Sequence, residues 1–448
     1  MKIGLEESYL GYFRYCVIML VGGWGICHLI WHALDNLPIS DDQVFYAVGA
    51  IRAIRHLGSM PFFDFLDSLK DITNMVRPPG ASLLLAPFAF LLRYDIQLIK
   101  AASLAWYLLT FVSIYLLGKT YFNRETGLLG MVFFCFLPQM YHLEIDPEFY
   151  QMSLLPLVLV CCAHVWDQGR WNALWWLAIG LLTALGLLLK WVFAVYLVGP
   201  VLYMIWNFVS KIKNSTLAIH WMLPCKLCLM LLPVIGVFLW WYLPYWDRLV
   251  ETIRMNTESM AYTPYKNGWE WSVPFYYPFQ FLWYNKLFPT MCLLIGLLVS
   301  LLTYTVHDRA GSMKTHTQYR SGWNLIAVTL IAFLLFFSIR YENIPKKYMF
   351  PLLPLLSVYA VSWIPLLTRF ITRRRMHNAF LLYGLFCILW INFGIPEVNA
   401  LYYSPRNFYK NPKKEFLWYA LPNAWVPDDN HWPFNDLAKS LHHLQGNS

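Results

Sequence analysis

Two adjacent carboxylates, Asp41 and Asp42, stand at the head of SDDQVFYAVGAIRAIRH (residues 40–56), just beyond the first long apolar run. A carboxylate so placed can take the proton from an attacking hydroxyl. Cations recur further along. Arg77 opens RPPG (77–80), Lys190 interrupts LGLLLKWVFAVYLVG (185–199), and RYENIPKKYMFPLLPLL (340–356) carries Arg340, Lys346 and Lys347. Between them lies the acidic HLEIDPEF (142–149), with Asp146 flanked by Glu144 and Glu148. Carboxylates that move a proton and cations that hold a phosphate as charge grows on it make a coherent set for group transfer from a phosphorylated donor.

Each residue also has a plainer reading. Ser40 with Gln43 fits a helix capping box, so Asp41 and Asp42 can serve a helix start and its dipole. Arg77 can pair with lipid headgroups. Lys190 can be a snorkelling lysine, and Lys346 and Lys347 interfacial anchors. His142, Glu144 and Asp146 could be a metal site, although helix-end acids and histidines without fixed spacing are common. Cys225 and Cys228 form a CxxC inside an apolar helix, where small buried residues are the default over metal or redox chemistry.

The elements that must position these groups are membrane helices. Of 448 residues 58% are hydrophobic, 18% aromatic and only 13% charged, far more apolar than a soluble core requires. Apolar runs mark eleven spans: 15–32, 98–118, 126–142, 149–166, 172–189, 191–208, 221–242, 287–305, 323–339, 348–367 and 379–395. The first reads as a retained span without a cleavage site. All nine cysteines fall in these helices, which argues against a disulfide framework. The net charge of +9 sits in basic loops and does not imply nucleic acid.

One segment decides sidedness. PPGASLLLAPFAFLLRY (78–94) has an apolar part of about 14 residues, too short for a span and suited to an interfacial helix. If it does not cross, the loops carrying Lys119, Arg124, Arg170, Lys211, Lys213 and Arg373–Arg375 all face the cytoplasm, as the positive-inside rule asks. The N-terminus is then inside, and residues 33–97, 142–149, 243–286 and 396–448 lie outside. Val44, Ala47, Val48, Ile51 and Ile54 share one face of the helix begun at 40, with Arg52, Arg55 and His56 off it and Gly58 as its stop. That describes a helix flat on the outer membrane surface.

In order and spacing, residues 10–370 resemble the GT-C glycosyltransferases, in particular bacterial proteins similar to dolichyl-phosphate-mannose protein mannosyltransferases and lipid A aminoarabinose transferase. The resemblance rests on Asp41-Asp42 with Tyr46-Ala47, Arg77-Pro78-Pro79-Gly80, Asp146 after the third span, and Lys190 ending a Leu-rich helix. It also rests on Lys347-Tyr348 leading into Pro351 and Pro354, and on the aromatic stretch at 271–289. It implies an all-α GT-C-like fold: a transmembrane catalytic domain over 1–395 and an extracytoplasmic tail over 396–448. It further implies inverting transfer of a sugar from a polyprenyl-phosphate donor to a hydroxyl acceptor on a lipid, envelope glycan or protein, at the outer face of a bacterial inner membrane. Asp41 would be the general base, Asp42 its neighbour, and Asp146 would orient hydroxyls. Arg77, Lys190, Lys346, Lys347 and Tyr348 would hold the donor phosphate. Val76 stands where related transferases have a metal-binding Glu, which puts a divalent metal in doubt, so no cofactor is assigned. Gly80 replaces a usual Leu, read as a mild change. A rival class is a transporter or flippase of lipid-linked saccharides, which would want midplane charges, broken helices and internal repeats that the sequence does not display. A non-catalytic scaffold is the third.

Overall fold

A computed structural model describes residues 2–34, 41–72, 77–93, 102–135, 145–166, 172–213, 223–260, 313–340 and 346–365, with a few isolated positions between. The described residues are helical throughout. In chain order they are α1 (Lys2–Leu34), α2 (Asp41–Leu57), α3 (Phe62–Ile72), α4 (Gly80–Leu91), α5 (Ala102–Tyr121), α6 (Arg124–Cys135) and α7 (Pro147–Trp166). Then come α8 (Ala173–Leu189), α9 (Phe193–Lys213), α10 (Leu223–Val237), α11 (Trp246–Met260), α12 (Met313–Arg340) and α13 (Leu353–Val361), the last entered through a 3-10 turn, Lys346–Leu352.

Six stretches among the described residues are long and apolar enough to cross a membrane: Ala102–Tyr121, Pro147–Val165, Phe193–Ser210, Pro224–Thr252, Tyr319–Phe336 and Tyr348–Pro365. They coincide with six of the eleven expected runs, and the chain is an integral membrane protein. The 15–32 run lies inside α1, and the 172–189 run forms α8. The runs at 287–305 and 379–395, the Arg373–Arg375 cluster, the 271–289 stretch and the tail 396–448 lie outside the described residues.

α7 and the 348–365 segment are the centre of the bundle, each 89% buried, which explains why α7 is apolar all round rather than striped. α5, α8 and the 3-10 turn pack on α7, α9 packs on α12, and α10 on α8. α9 and α10 leave most of their surface open, with Trp206, Val209, Leu232 and Ile235 exposed, as lipid-facing helices should. The 221–242 run does not end where its apolar letters do. α10 passes through a π turn (Phe238–Tyr242) and a 3-10 turn (Leu243–Tyr245) directly into α11. Pro244 falls inside this continuous path, where its missing N–H leaves the preceding turn without one backbone donor.

The pivotal short segment is α4. Its 12 residues reach about 18 Å at 1.5 Å each, against roughly 30 Å of hydrocarbon. It lies packed on α2 and touches α7 and α8. α2 ends at Leu57 with Gly58 beyond it, and its apolar stripe faces inward: Ala47, Ala50 and Ala53 are buried while Arg52 and Arg55 are exposed.

Candidate active site

Of the candidate residues, Arg77, Asp146, Lys190 and Tyr348 have described side chains, set near the ends of α2, α4, α7 and α8; the side chains of Asp41, Asp42, Lys346 and Lys347 lie outside the described residues. α2 starts at Asp41, so both acids occupy its first turn, where the dipole favours a carboxylate. Ser40 lies outside the described residues. Five residues into α2, Phe45 and Tyr46 present their rings to Arg77, whose guanidinium carbon lies 5.0 Å from the first centroid and 5.9 Å from the second. Such cation–π contacts fix a guanidinium that would otherwise sample many rotamers. The Ser82 hydroxyl donates to the Tyr46 carbonyl over 3.2 Å, tying α4 to α2.

Pro78, Pro79 and Gly80 are buried, and Gly80 is not the mild replacement that the sequence suggests. A Cβ there would stand 2.5 Å from the Leu188 carbonyl oxygen and 2.8 Å from the Leu189 nitrogen. Only glycine lets the start of α4 lie against the last turn of α8. That turn ends at Lys190, whose backbone is extended and whose N–H still donates to the Gly186 carbonyl.

α7 supplies the middle of the site. Asp146 occupies its N-cap position, its carbonyl accepting from the Phe149 N–H over 3.0 Å, and Pro147 follows at the first helical position. Asp146 is buried. Tyr150, four residues on and so on the same side of the helix, is fully buried, with its hydroxyl within electrostatic reach of both Asp146 and Tyr46. Tyr46 stands about 7.5 Å along the α2 axis from the helix start at Asp41.

The other side of α7 carries Glu148 and Gln151, both with no exposed surface. Glu148 Oε1 accepts from Lys190 Nζ over 2.5 Å. The Gln151 amide donates to the carbonyls of Gly186 (3.1 Å) and Lys190 (3.3 Å). The Lys190 ammonium also lies 4.7 Å from the Tyr348 ring centroid. The Tyr348 carbonyl in turn accepts from the buried Tyr196 hydroxyl over 2.8 Å. One connected cluster therefore runs from α2 through Arg77, the α8 end and the α7 start to Tyr348. The backbones of Lys346 and Lys347 open the same 3-10 turn. Val76, His142, Glu144 and the Arg340-adjacent loop lie outside the described residues. Among the described residues no three His, Cys, Asp or Glu side chains gather as a metal would need.

Residues 76–241 match the model of the dolichyl-phosphate-mannose-protein mannosyltransferase family. The match takes in Arg77, Asp146, Glu148 and Lys190, and leaves Asp41 and Tyr348 to either side. In fold, the chain is similar to the ArnT of Cupriavidus metallidurans in its structure bound to undecaprenyl phosphate. That likeness has a TM-score of 0.51 and 15% identity, covering 90% of this chain and 69% of that one. An oligosaccharyltransferase of Archaeoglobus fulgidus, in complex with zinc and sulfate, is also similar, with a TM-score of 0.44 and 12% identity over 91% of this chain and 57% of that one. No curated protein sequence matches the chain.

Glu148, Tyr150, Gln151 and Tyr196 are site residues that the sequence reading did not assign. A carboxylate opening an otherwise apolar helix, with a Gln one turn later, was the available signal for the first and third. Buried tyrosines in a chain holding 29 of them give no such signal.

Proposed function

We propose that this glycosyltransferase-family membrane protein transfers a sugar from a polyprenyl-phosphate-linked donor to a hydroxyl acceptor at the extracytoplasmic face, with inversion at the anomeric carbon. The reading is supported by Arg77 set against Phe45 and Tyr46 of α2, the helix that starts at Asp41, and by Lys190 set against Glu148 and Tyr348. The Asp41 carboxylate accepts the acceptor's hydroxyl proton as that oxygen attacks the anomeric carbon from the face opposite the phosphate. The anomeric C–O bond breaks, its electrons pass to the phosphate oxygen, and a lipid phosphodiester leaves as a monophosphate with one more negative charge. Arg77 and Lys190, with Lys346 and Lys347, meet that charge. Asp42 and Asp146 orient hydroxyls, and Tyr348 flanks the phosphate side. Undecaprenyl phosphate in the similar ArnT supports a polyprenyl carrier.

The test is Asp41→Asn, scored by mass spectrometry of lipid-linked sugars and envelope glycans in cells and by transfer in proteoliposomes. The expected outcome is a loss of turnover of about 10²–10⁴-fold with accumulation of the lipid-linked donor. Uptake of lipid-linked sugar into vesicles without any transfer by the parent protein would replace this reading with a flippase. A silent substitution in every assay would leave a scaffold.

A further inference from the structure

We propose that the side-chain amide of Gln43 binds hydroxyls of the sugar carried by the lipid donor, which makes the first turn of α2 a sugar-reading site. This rests on the reading of the site as one for polyprenyl-phosphate-linked sugars.

Gln43 lies in the first turn of α2 and keeps only 8% of its surface. In sequence it pairs with Ser40 as a capping box, yet the structure turns it inward. At 100° per residue it shares a face with Tyr46 and Ala47, and both of those are buried. Among the described residues its amide has no hydrogen-bond partner. Burying an amide without a partner is costly, so a group of this kind calls for an explanation. The Tyr150 hydroxyl, Glu148 Oε2 and Gln151 Oε1 also lack partners among the described residues, but those atoms are sealed from solvent. The Gln43 amide atoms are not among the sealed ones, so a ligand group can reach them.

Its place along the helix says which group. Tyr46 follows Gln43 by one turn, about 4.5 Å along the axis. Together with Phe45 it faces the Arg77 guanidinium, the cation assigned to the donor phosphate. A sugar esterified to a phosphate at Arg77 begins one bond from it, within reach of a side chain one turn away. The helix start at Asp41, assigned to the acceptor's proton, lies about 3 Å further in the same direction. Base, sugar and phosphate therefore fall in that order along α2, the order in which in-line displacement needs them. An amide suits the middle position because it donates and accepts at once, as neighbouring sugar hydroxyls do. A donor without those hydroxyls would leave the buried amide unpaired, which is how such a site rejects the wrong ligand.

The experiment measures binding of undecaprenyl phosphate and of its mannosyl and arabinosyl phosphodiesters to the full chain in nanodiscs. The parent is compared with Gln43→Met, which keeps the side-chain length and removes both polar groups. Affinity for bare undecaprenyl phosphate should agree within about twofold, since the substitution touches nothing at Arg77. The ratio of sugar-ester to bare-lipid affinity should fall about three- to tenfold for at least one ester, the worth of one hydrogen bond. The thermal midpoint of the ligand-free variant should match or exceed that of the parent, because a buried amide without a partner has gone. An unchanged ratio for both esters, or a lowered midpoint, would mark a packing role for Gln43 and overturn the proposal. Failure of the parent protein to bind any of the three lipids would instead overturn the functional reading beneath it.

Discussion

Replacing Gly80 by alanine adds a single methyl, and the structure says where it must go. The new Cβ would lie 2.5 Å from the Leu188 carbonyl oxygen and 2.6 Å from its carbon, while ordinary van der Waals separation begins at 3.4 Å. The obstacle is backbone on both sides, so no rotamer change relieves it. α4 and the end of α8 must part by about 0.9 Å. Arg77 precedes Gly80 by one rigid Pro-Pro step and Lys190 follows Leu188 by two residues, so the two cations separate with their helices. Overpacking of this kind costs about 1–3 kcal/mol, enough to lower the midpoint without unfolding a bundle whose centre is α7. A displacement near 1 Å at a reacting centre is worth about 10² in rate. Gly80→Ala should therefore remain monodisperse in detergent and cut sugar transfer in proteoliposomes about a hundredfold. Gly236→Ala is the control. Among the described residues nothing lies within 4 Å of its Cβ, and alanine is the better helix former, so its activity should match the parent. Turnover by Gly80→Ala within twofold of the parent would refute the claim that this close approach registers Arg77 against Lys190.

Lys190→Met strands a buried carboxylate and should cost about 3–5 kcal/mol of stability, whereas Lys190→Met with Glu148→Gln should recover most of it. Thermal midpoints of both variants give the comparison, and equal losses would sink the pairing. A cysteine placed at Asp64 in the exposed first turn of α3 should react with a membrane-impermeant thiol reagent in intact cells. Labelling only after lysis would reverse the assigned sidedness. Tyr196→Phe removes the donor to the Tyr348 carbonyl and should cost about 0.5–1.5 kcal/mol. It should also raise the KM for the lipid donor more than it lowers kcat, a split that steady-state kinetics would expose.

The sequence was informative where a physical period or a costly residue type spoke for itself. The helical stripe through Val44, Ala47, Ile51 and Ile54 and the stop at Gly58 were legible, because a surface helix must alternate its faces. Lys190 stood out since a cation is expensive amid Leu and Val, and the brevity of residues 79–92 followed from bilayer thickness. Gly80 was misjudged because its value lies in clearance from Leu188, 108 positions away, and clearance leaves no trace in composition. The run through Phe238–Tyr242 also hid a π turn. Pro244, two residues beyond it, has no N–H to give that turn, and the Tyr242 hydroxyl donates across to the Leu187 carbonyl at 2.5 Å. Glu148 was visible as a letter but not as a partner, since nothing in HLEIDPEF announces a lysine 42 residues on.

The first turn of α7 changes how the site's residues must be counted. At 100° per residue, Asp146 and Tyr150 project together, and Glu148 and Gln151 project together on a different side. The first pair is on the side of Tyr46 of α2, and the second faces Lys190, which in turn meets Tyr348. A single helix start therefore stands between the group proposed to take the acceptor's proton and the groups proposed to receive the leaving phosphate. Any substitution that rotates or shifts this turn disturbs both halves at once. Losses from changes at Asp146 and at Lys190 should consequently fail to add, the double variant losing less than the product of the single ones, as residues sharing one rigid support do.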